Sequence, residues 1–321
     1  MVNKLVLHIG MHKTGSTAIQ FFANLNRERL HHRGILYPLA GQPEADNIPG
    51  HHRFAWAALG KDTLAVFDEL REEINKDKSE ISIISSEVLD TLSPDQVNLF
   101  LGNLPFDDIT LVCYLRRQDQ FVQAMYSTDV MWHDYQDDIS EYLSNSMETT
   151  LDYYDLLNRW AGVLGKERMI IKPYVREKLK NQDIIDDFFS EVNLDVTGNW
   201  SRPLPQVNNG FPRAVTELVC KFRQAGVSME EVNIFRDLVT LLYTQSNAYD
   251  IMPPSARREM LNKYSEINSL IAREFLTPST QQLFEDPTYE TEEEWKTHYM
   301  RPYADILDLM LKIHNHLIAK R

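Results

Sequence analysis

The segment Gly10-Met-His-Lys-Thr-Gly15-Ser-Thr stands between two stretches of different hydrophobic period, and that change restricts the fold more than any other feature of the chain. Leu5 to Ile9 is mostly apolar and ends at Gly10, the pattern of a short parallel strand covered on both faces. From Ala18 the apolar residues recur at Ile19, Phe22 and Leu25, the spacing of an amphipathic helix. A strand, a loop with two glycines and a helix N-terminus in succession form an anion site. The first amides of a helix have no intrahelical partner, and the helix dipole adds positive potential. Lys13 contributes a full charge, and Ser16 and Thr17 contribute hydroxyl donors.

A second change of period occurs where Asp107 to Leu115, the clearest strand pattern in the chain, meets Arg116-Arg117 and then a helical pattern through Ser127. Between the two motifs, Glu80 to Glu87 reads as another buried strand ending in Ser85-Ser86-Glu87. In doubly wound sheets ligands lie beyond the carboxyl ends of the strands, which puts Glu87 on the same rim as Lys13. His51 and His52 stand at a loop-to-helix junction. They lack the i, i+4 spacing of a helical metal pair, and they remain open as surface, capping or general-base residues.

The lysine precedes the second glycine, whereas a Walker A loop places it after that glycine. Gly10-x-x-Lys13-Thr-Gly15-Ser-Thr17 resembles instead the Lys-x-Gly-x-Thr loop of the sulfotransferase family, which holds the 5′-phosphosulfate of 3′-phosphoadenosine 5′-phosphosulfate (PAPS). The strand-Arg116-helix segment resembles that family's 3′-phosphate motif, with one departure. The family's serine, eight residues on, is Ala124 here; either Ser127, the nearest serine and about one turn further along, replaces it, or the hydroxyl contact is missing. Tyr264 to Phe275, Leu283-Phe-Glu-Asp286 and Val207-Asn-Asn-Gly210 are similar to parts of bacterial carbohydrate-type members.

The resemblance implies an α/β fold, with a P-loop-like three-layer core around a central parallel sheet and a helical C-terminal elaboration. It implies PAPS as co-substrate without a metal, and an acceptor hydroxyl or amine on a small molecule or glycan. His12, Lys13, Thr14, Gly15, Ser16, Thr17, Arg116 and Ser127 are the implied donor contacts. Lys13 is the implied catalytic charge, and Glu87, His51 and His52 are the candidate bases. Two alternatives stay open: a nucleotide-dependent kinase, against which the displaced lysine argues, and a non-catalytic nucleotide- or glycan-binding protein, favoured by the alanine at 124.

Residues 1–321 read as a single domain, an α/β core over 1–200 and a mostly helical part over 201–321 with helices near 212–224, 230–243, 254–275 and 299–319. A net charge of −14 argues against a broad nucleic-acid or anionic-membrane surface, so any anion is held by a local cluster. Without a long apolar run the chain is expected to be cytoplasmic, with no membrane span. Cys113 and Cys220 are expected as buried hydrophobes, and Glu290 to Glu294 as a solvated acidic loop.

Overall fold

The structure, a computed structural model, describes residues 4–44, 49–146, 150–203, 211–242, 250–276, 280 and 282–297. The expected helix over 299–319 and the Val207-Asn-Asn-Gly210 segment lie outside the described residues. The chain forms two compact units. The first comprises Met1–Arg117, Asp152–Gln206 and Glu266–Phe284, and the second Gln118–Leu151, Val207–Ser265 and Glu285–Arg321.

The first unit opens with β1 (Lys4–His8), α1 (Ser16–Leu25), α2 (Arg27–His31) and β2 (Ile35–Leu36). It continues through α3 (His52–Ala58), α4 (Val66–Lys76), β3 (Ile81–Ser85), a 3₁₀ turn (Glu87–Thr91), α5 (Pro94–Asn103) and β4 (Asp108–Leu115). The second unit holds α6 (Gln118–Trp132) and α7 (Ile139–Ser146). The chain then returns to the first unit for α8 (Tyr153–Leu164), β5 (Met169–Pro173) and α9 (Ile184–Ser190). The remaining helices are α10 (Arg213–Gln224) and α11 (Met229–Leu242) in the second unit and α12 (Pro254–Phe275), whose residues change unit after Ser265.

All five strands run parallel in one sheet, in the order β2-β3-β1-β4-β5. This is the α/β architecture expected from the strand patterns. β1 lies in the middle, with His8 opposite Ser85 of β3 and Val112 of β4. The chain goes to one side of β1 for β2 and β3 and to the other for β4 and β5. The loop after β1 therefore occupies the topological switch point, where doubly wound sheets bind ligands.

Period-two alternation along the strands fills both faces of the sheet. Val6, Ile83, Val112 and Tyr114 pack in one cluster with Ile19 and Phe22 of α1 and Phe188 and Phe189 of α9. Leu5 and Leu7 alternate with these residues and are also buried. An aromatic row from α3, α4, α5 and α8 joins Phe54, Phe67, Phe100 and Trp160 at centroid distances of 5.1, 6.0 and 6.0 Å. Each such ring, fully buried, stabilises the fold by about 1.5–3 kcal/mol. Asp187 of α9 accepts from Tyr114 Oη at 2.6 Å and pairs with Lys172 Nζ at 2.7 Å, which ties α9 to β4 and β5.

Three local expectations change. Arg33 to Pro38 has the pattern of a short strand closed by proline, but only Ile35–Leu36 is strand, because Gly34 turns at φ +73° before it and Pro38, two residues beyond it, lacks an N–H. α5 was not anticipated, although Ser93-Pro-Asp-Gln96 carries its signature. Ser93 Oγ accepts from the Gln96 amide, and the Gln96 side chain accepts from the Ser93 amide. The expected acidic loop, Glu290 to Glu294, turns helical from residue 292, in a helix that runs to 297 and is started by a reciprocal cap between Thr291 and Glu294. Cys113 and Cys220 are buried and free.

In the second unit, α6 is anchored by Asp119, whose Oδ2 accepts from Arg257 Nε and from Tyr289 Oη, each at 2.9 Å. Gln123 Oε1, one turn along, accepts from the Met252 amide at 2.9 Å. No helix among the described residues is long and apolar enough to cross a membrane.

Candidate functional site

The loop between β1 and α1 reverses direction through two residues in left-handed backbone, Lys13 at φ +65° and Gly15 at φ +82°. Gly15 is required twice over. A side chain there would be strained at that φ, and its Cβ would come 3.1 Å from Ile184 of α9. Lys13 adopts the same region without glycine's freedom, at a cost of about 1–2 kcal/mol. Thr14 is buried, and its hydroxyl donates to the Met11 carbonyl at 2.6 Å, so the side chain closes the loop. Gly15 is the N-cap of α1 and supplies no side-chain cap. The Ala18 amide donates to the Gly15 carbonyl at 3.0 Å, and helix geometry gives the two amides before it, Ser16 and Thr17, no intrahelical acceptor, so this end of α1 suits an anion.

Arg116, the residue after β4, closes the loop from the other side. Its Nη1 donates to the Lys13 carbonyl at 3.0 Å, and its own carbonyl accepts from Tyr153 Oη at 2.8 Å. The two motifs singled out in the sequence thus meet through one hydrogen bond in the first unit. Ser127, on α6 in the second unit, is buried and shares a hydrogen bond of 3.1 Å with the Thr216 hydroxyl.

The end of β3 supplies the carboxylate. Glu87 Oε2 accepts from Gln20 Nε2 at 2.9 Å, and the same amide reaches Ser85 Oγ at 3.2 Å. Burial acts to raise the Glu87 pKa. His52, the Gln20 hydrogen bond, the backbone and His12 outweigh it and hold the carboxyl below its ordinary value. Glu87 is therefore an ionised acceptor at neutral pH.

The two junction histidines have different surroundings. His51 is fully buried and uses both ring nitrogens. Nε2–H donates to the Pro38 carbonyl at 3.0 Å, and Nδ1 accepts from the Ser85 amide at 3.1 Å. Burial pushes its pKa down to about 3. With both nitrogens committed, His51 pins the 49–52 loop to β3 and has no site left for proton transfer. His52 opens α3, and its Nδ1 lies 2.8 Å from Ser86 Oγ.

Three further side chains belong to the site, and the sequence reading had given them no role. His8, at the end of β1, is buried below the loop. Its Nδ1 is 2.8 Å from Ser85 Oγ, and its buried Nε2 has no hydrogen-bond partner. A Cβ on Gly10 would lie 2.5 Å from that nitrogen, so only glycine lets the chain pass over the ring. Burial lowers the His8 pKa to about 4. Gln20 is the second and Asp90 the third; Asp90 Oδ2 lies 3.1 Å from Nδ1 of the loop residue His12. A histidine inside an apolar strand and a glutamine on the buried face of a helix were visible as anomalies, but their partners lie 77 and 67 residues away.

Among the described residues, no group of three or more His, Cys, Asp or Glu side chains is gathered as metal ligands would be.

No protein-family model matches the sequence. A curated protein of Archaeoglobus fulgidus, described only as uncharacterized, is 25% identical over 114 residues, which make up 36% of this chain and 30% of that protein. The match thus spans less than a third of the relative's length. The crystal structure of a sulfotransferase from Alicyclobacillus acidocaldarius is similar over 73% of this chain and 99% of its own, at 15% identity and a TM-score of 0.40.

Proposed function

We propose that the chain is a PAPS-dependent sulfotransferase acting on a hydroxyl or amine of a small-molecule or carbohydrate acceptor. The observation that carries this reading is the 3.0 Å hydrogen bond from Arg116 to the Lys13 carbonyl, which makes one structure of the two motifs that resemble the family's phosphosulfate and 3′-phosphate signatures. The fit of the loop to an anion rests on this chain's own backbone. Two left-handed residues and an N-cap without a side chain leave the start of α1 open, and the full charge of Lys13 lies in the same turn.

When bound, PAPS supplies an activated sulfuryl group whose leaving group is adenosine 3′,5′-bisphosphate. Lys13 and the amides of residues 13–17 hold the 5′ end and oppose the negative charge that grows as the sulfur–oxygen bond to the 5′-phosphate breaks. A single preorganised donor of this kind contributes about 3–4 kcal/mol to the transition state. Arg116 binds the 3′-phosphate and keeps the Lys13 carbonyl turned away from the anion. Glu87, ionised and oriented by Gln20, accepts the proton of the acceptor hydroxyl or amine as its oxygen or nitrogen bonds to sulfur. His52, near Glu87, is the second candidate for that proton.

The test is a thermal-shift comparison of adenosine 3′,5′-bisphosphate with ATP plus Mg²⁺. A ligand at 100 times its Kd stabilises the fold by about 2.7 kcal/mol, well within detection. The expected result is a shift with the bisphosphate alone. A shift only with ATP and Mg²⁺ would assign the loop to a kinase and overturn the proposal.

A further inference from the structure

We infer that His12 and Asp90 form a proton-dependent anion clamp, in which anion binding by the loop is coupled to uptake of a proton on His12 Nε2. The inference deepens the donor-site reading and rests on it.

The geometry is that of an oriented histidine. His12 lies inside the anion loop, next to Lys13, and its Nδ1 faces Asp90 Oδ2 at 3.1 Å. The Asp90 side chain is only 9% exposed, while the His12 side chain is 37% exposed, so the carboxylate is enclosed and the imidazole is partly open. A carboxylate at Nδ1 keeps a proton on that nitrogen. In the neutral ring Nε2 is then a lone pair, which repels an anion, and in the imidazolium it is a donor. An anion in the loop distinguishes these states by the sign of the interaction at one atom.

The surrounding charges favour the protonated state. Asp90 and Glu87 face His12 from the turn after β3, and Lys13 opposes them from the loop. The buried Cys113 thiol of β4, close to Asp90, stays neutral. Burial lowers the His12 pKa, but the hydrogen bond and charge of Asp90, with the charge of Glu87, raise it by more, so the net displacement is upward. His12 thus keeps its proton to higher pH than an ordinary histidine, and a bound anion moves its loss higher still. Asp90 acts through His12 and is a positioning residue.

The experiment is isothermal titration of adenosine 3′,5′-bisphosphate into the full chain between pH 5.5 and 8.5, in paired buffers of different ionisation enthalpy. It uses the wild type, His12→Gln and Asp90→Asn. The ligand's own phosphates titrate in this range, so the readout is the difference between wild type and His12→Gln. The wild type is expected to take up a fraction of a proton that the glutamine variant does not, with an excess rise in Kd of up to about tenfold per pH unit on the alkaline side. Asp90→Asn should move that rise to lower pH. If wild type and His12→Gln show the same pH dependence, the clamp is refuted while the donor site stands. If the bisphosphate binds neither protein at any pH, both readings fall together.

Discussion

Gln20 Nε2 lies 2.9 Å from Glu87 Oε2 and joins the first helix of the fold to a carboxylate 67 residues away at the end of β3. An amide N–H favours the ionised carboxyl, so Gln20, after the charge of His52, helps keep Glu87 ionised as well as positioned. A hydrogen bond to a charged group is worth about 1.5–3 kcal/mol. Gln20→Leu is therefore expected to move the acid limb of the kcat/KM profile to higher pH, with little change in acceptor KM. Glu87→Gln should lower kcat by about 10²–10⁴ without lowering the melting temperature in proportion. Unchanged turnover in Glu87→Gln would transfer the base role to His52.

Lys13 carries a conflict between folding and chemistry. Its backbone is left-handed at φ +65°, where glycine is preferred, yet its side chain supplies the loop's charge. Lys13→Gly is expected to stabilise the fold by up to about 1 kcal/mol while removing sulfuryl transfer. Chemical denaturation and a transfer assay on the same sample read the two effects separately. A glycine variant that is less stable and equally active would contradict both halves of the argument.

Two buried neutral histidines make stability fall in acid. The native pKa values of His8 and His51 are depressed to about 4 and about 3, whereas the unfolded chain protonates near the ordinary value of 6.5. Between those limits the unfolded state binds more protons. Their contribution is therefore complete above pH 6.5 and is lost as the pH falls through 6.5 toward 4, by up to about 1.4 kcal/mol per pH unit for each histidine. His12, raised by Asp90, has the opposite sign, adding stability at low pH that disappears as the pH rises through its native value. Urea denaturation at pH 7 and 5 should show a clear loss, reduced in His8→Gln. Equal stability at the two pH values would mean that neither ring is held neutral.

The elements that the sequence made legible are those whose signal is local. β1, β4 and α12 follow from strand or helix period alone, and the strand-to-helix change at Arg116 marks a real boundary within two residues. β2 was read too long because its apolar run is cut by a left-handed glycine and a proline, whose effect depends on where the ladder can start. The site was legible in its outline but not in its wiring. Lys13, Arg116 and Glu87 stood out by motif and by position at strand ends. Asp90 and Gln20 did not, because each acquires its role from a partner brought near by the sheet, and nothing in the spacing of residues 12 and 90, or 20 and 87, encodes that meeting. His51 shows the converse. Its position at a loop-to-helix junction suggested chemistry, but burial and two backbone partners give it a structural task.

Arg116 combines two tasks that one comparison separates. Its guanidinium supports the loop through the Lys13 carbonyl, and it is the proposed contact for the 3′-phosphate. Loss of the loop support weakens every nucleotide held by its 5′ end, by about 1 kcal/mol for one hydrogen bond, or roughly fivefold. Loss of a charged contact to the 3′-phosphate adds about 1.5–3 kcal/mol, roughly a 10- to 150-fold change in Kd, and only for nucleotides that carry that group. Arg116→Ala is therefore expected to weaken adenosine 5′-phosphate modestly and adenosine 3′,5′-bisphosphate far more. Equal losses for the two nucleotides would make Arg116 a support for the loop and leave the 3′-phosphate site unassigned. Ser127→Ala against the same pair tests the hydroxyl contact that the family resemblance implies. A loss confined to the bisphosphate gives the Ser127 hydroxyl to the nucleotide, and unchanged affinities leave it to Thr216, its neighbour at 3.1 Å.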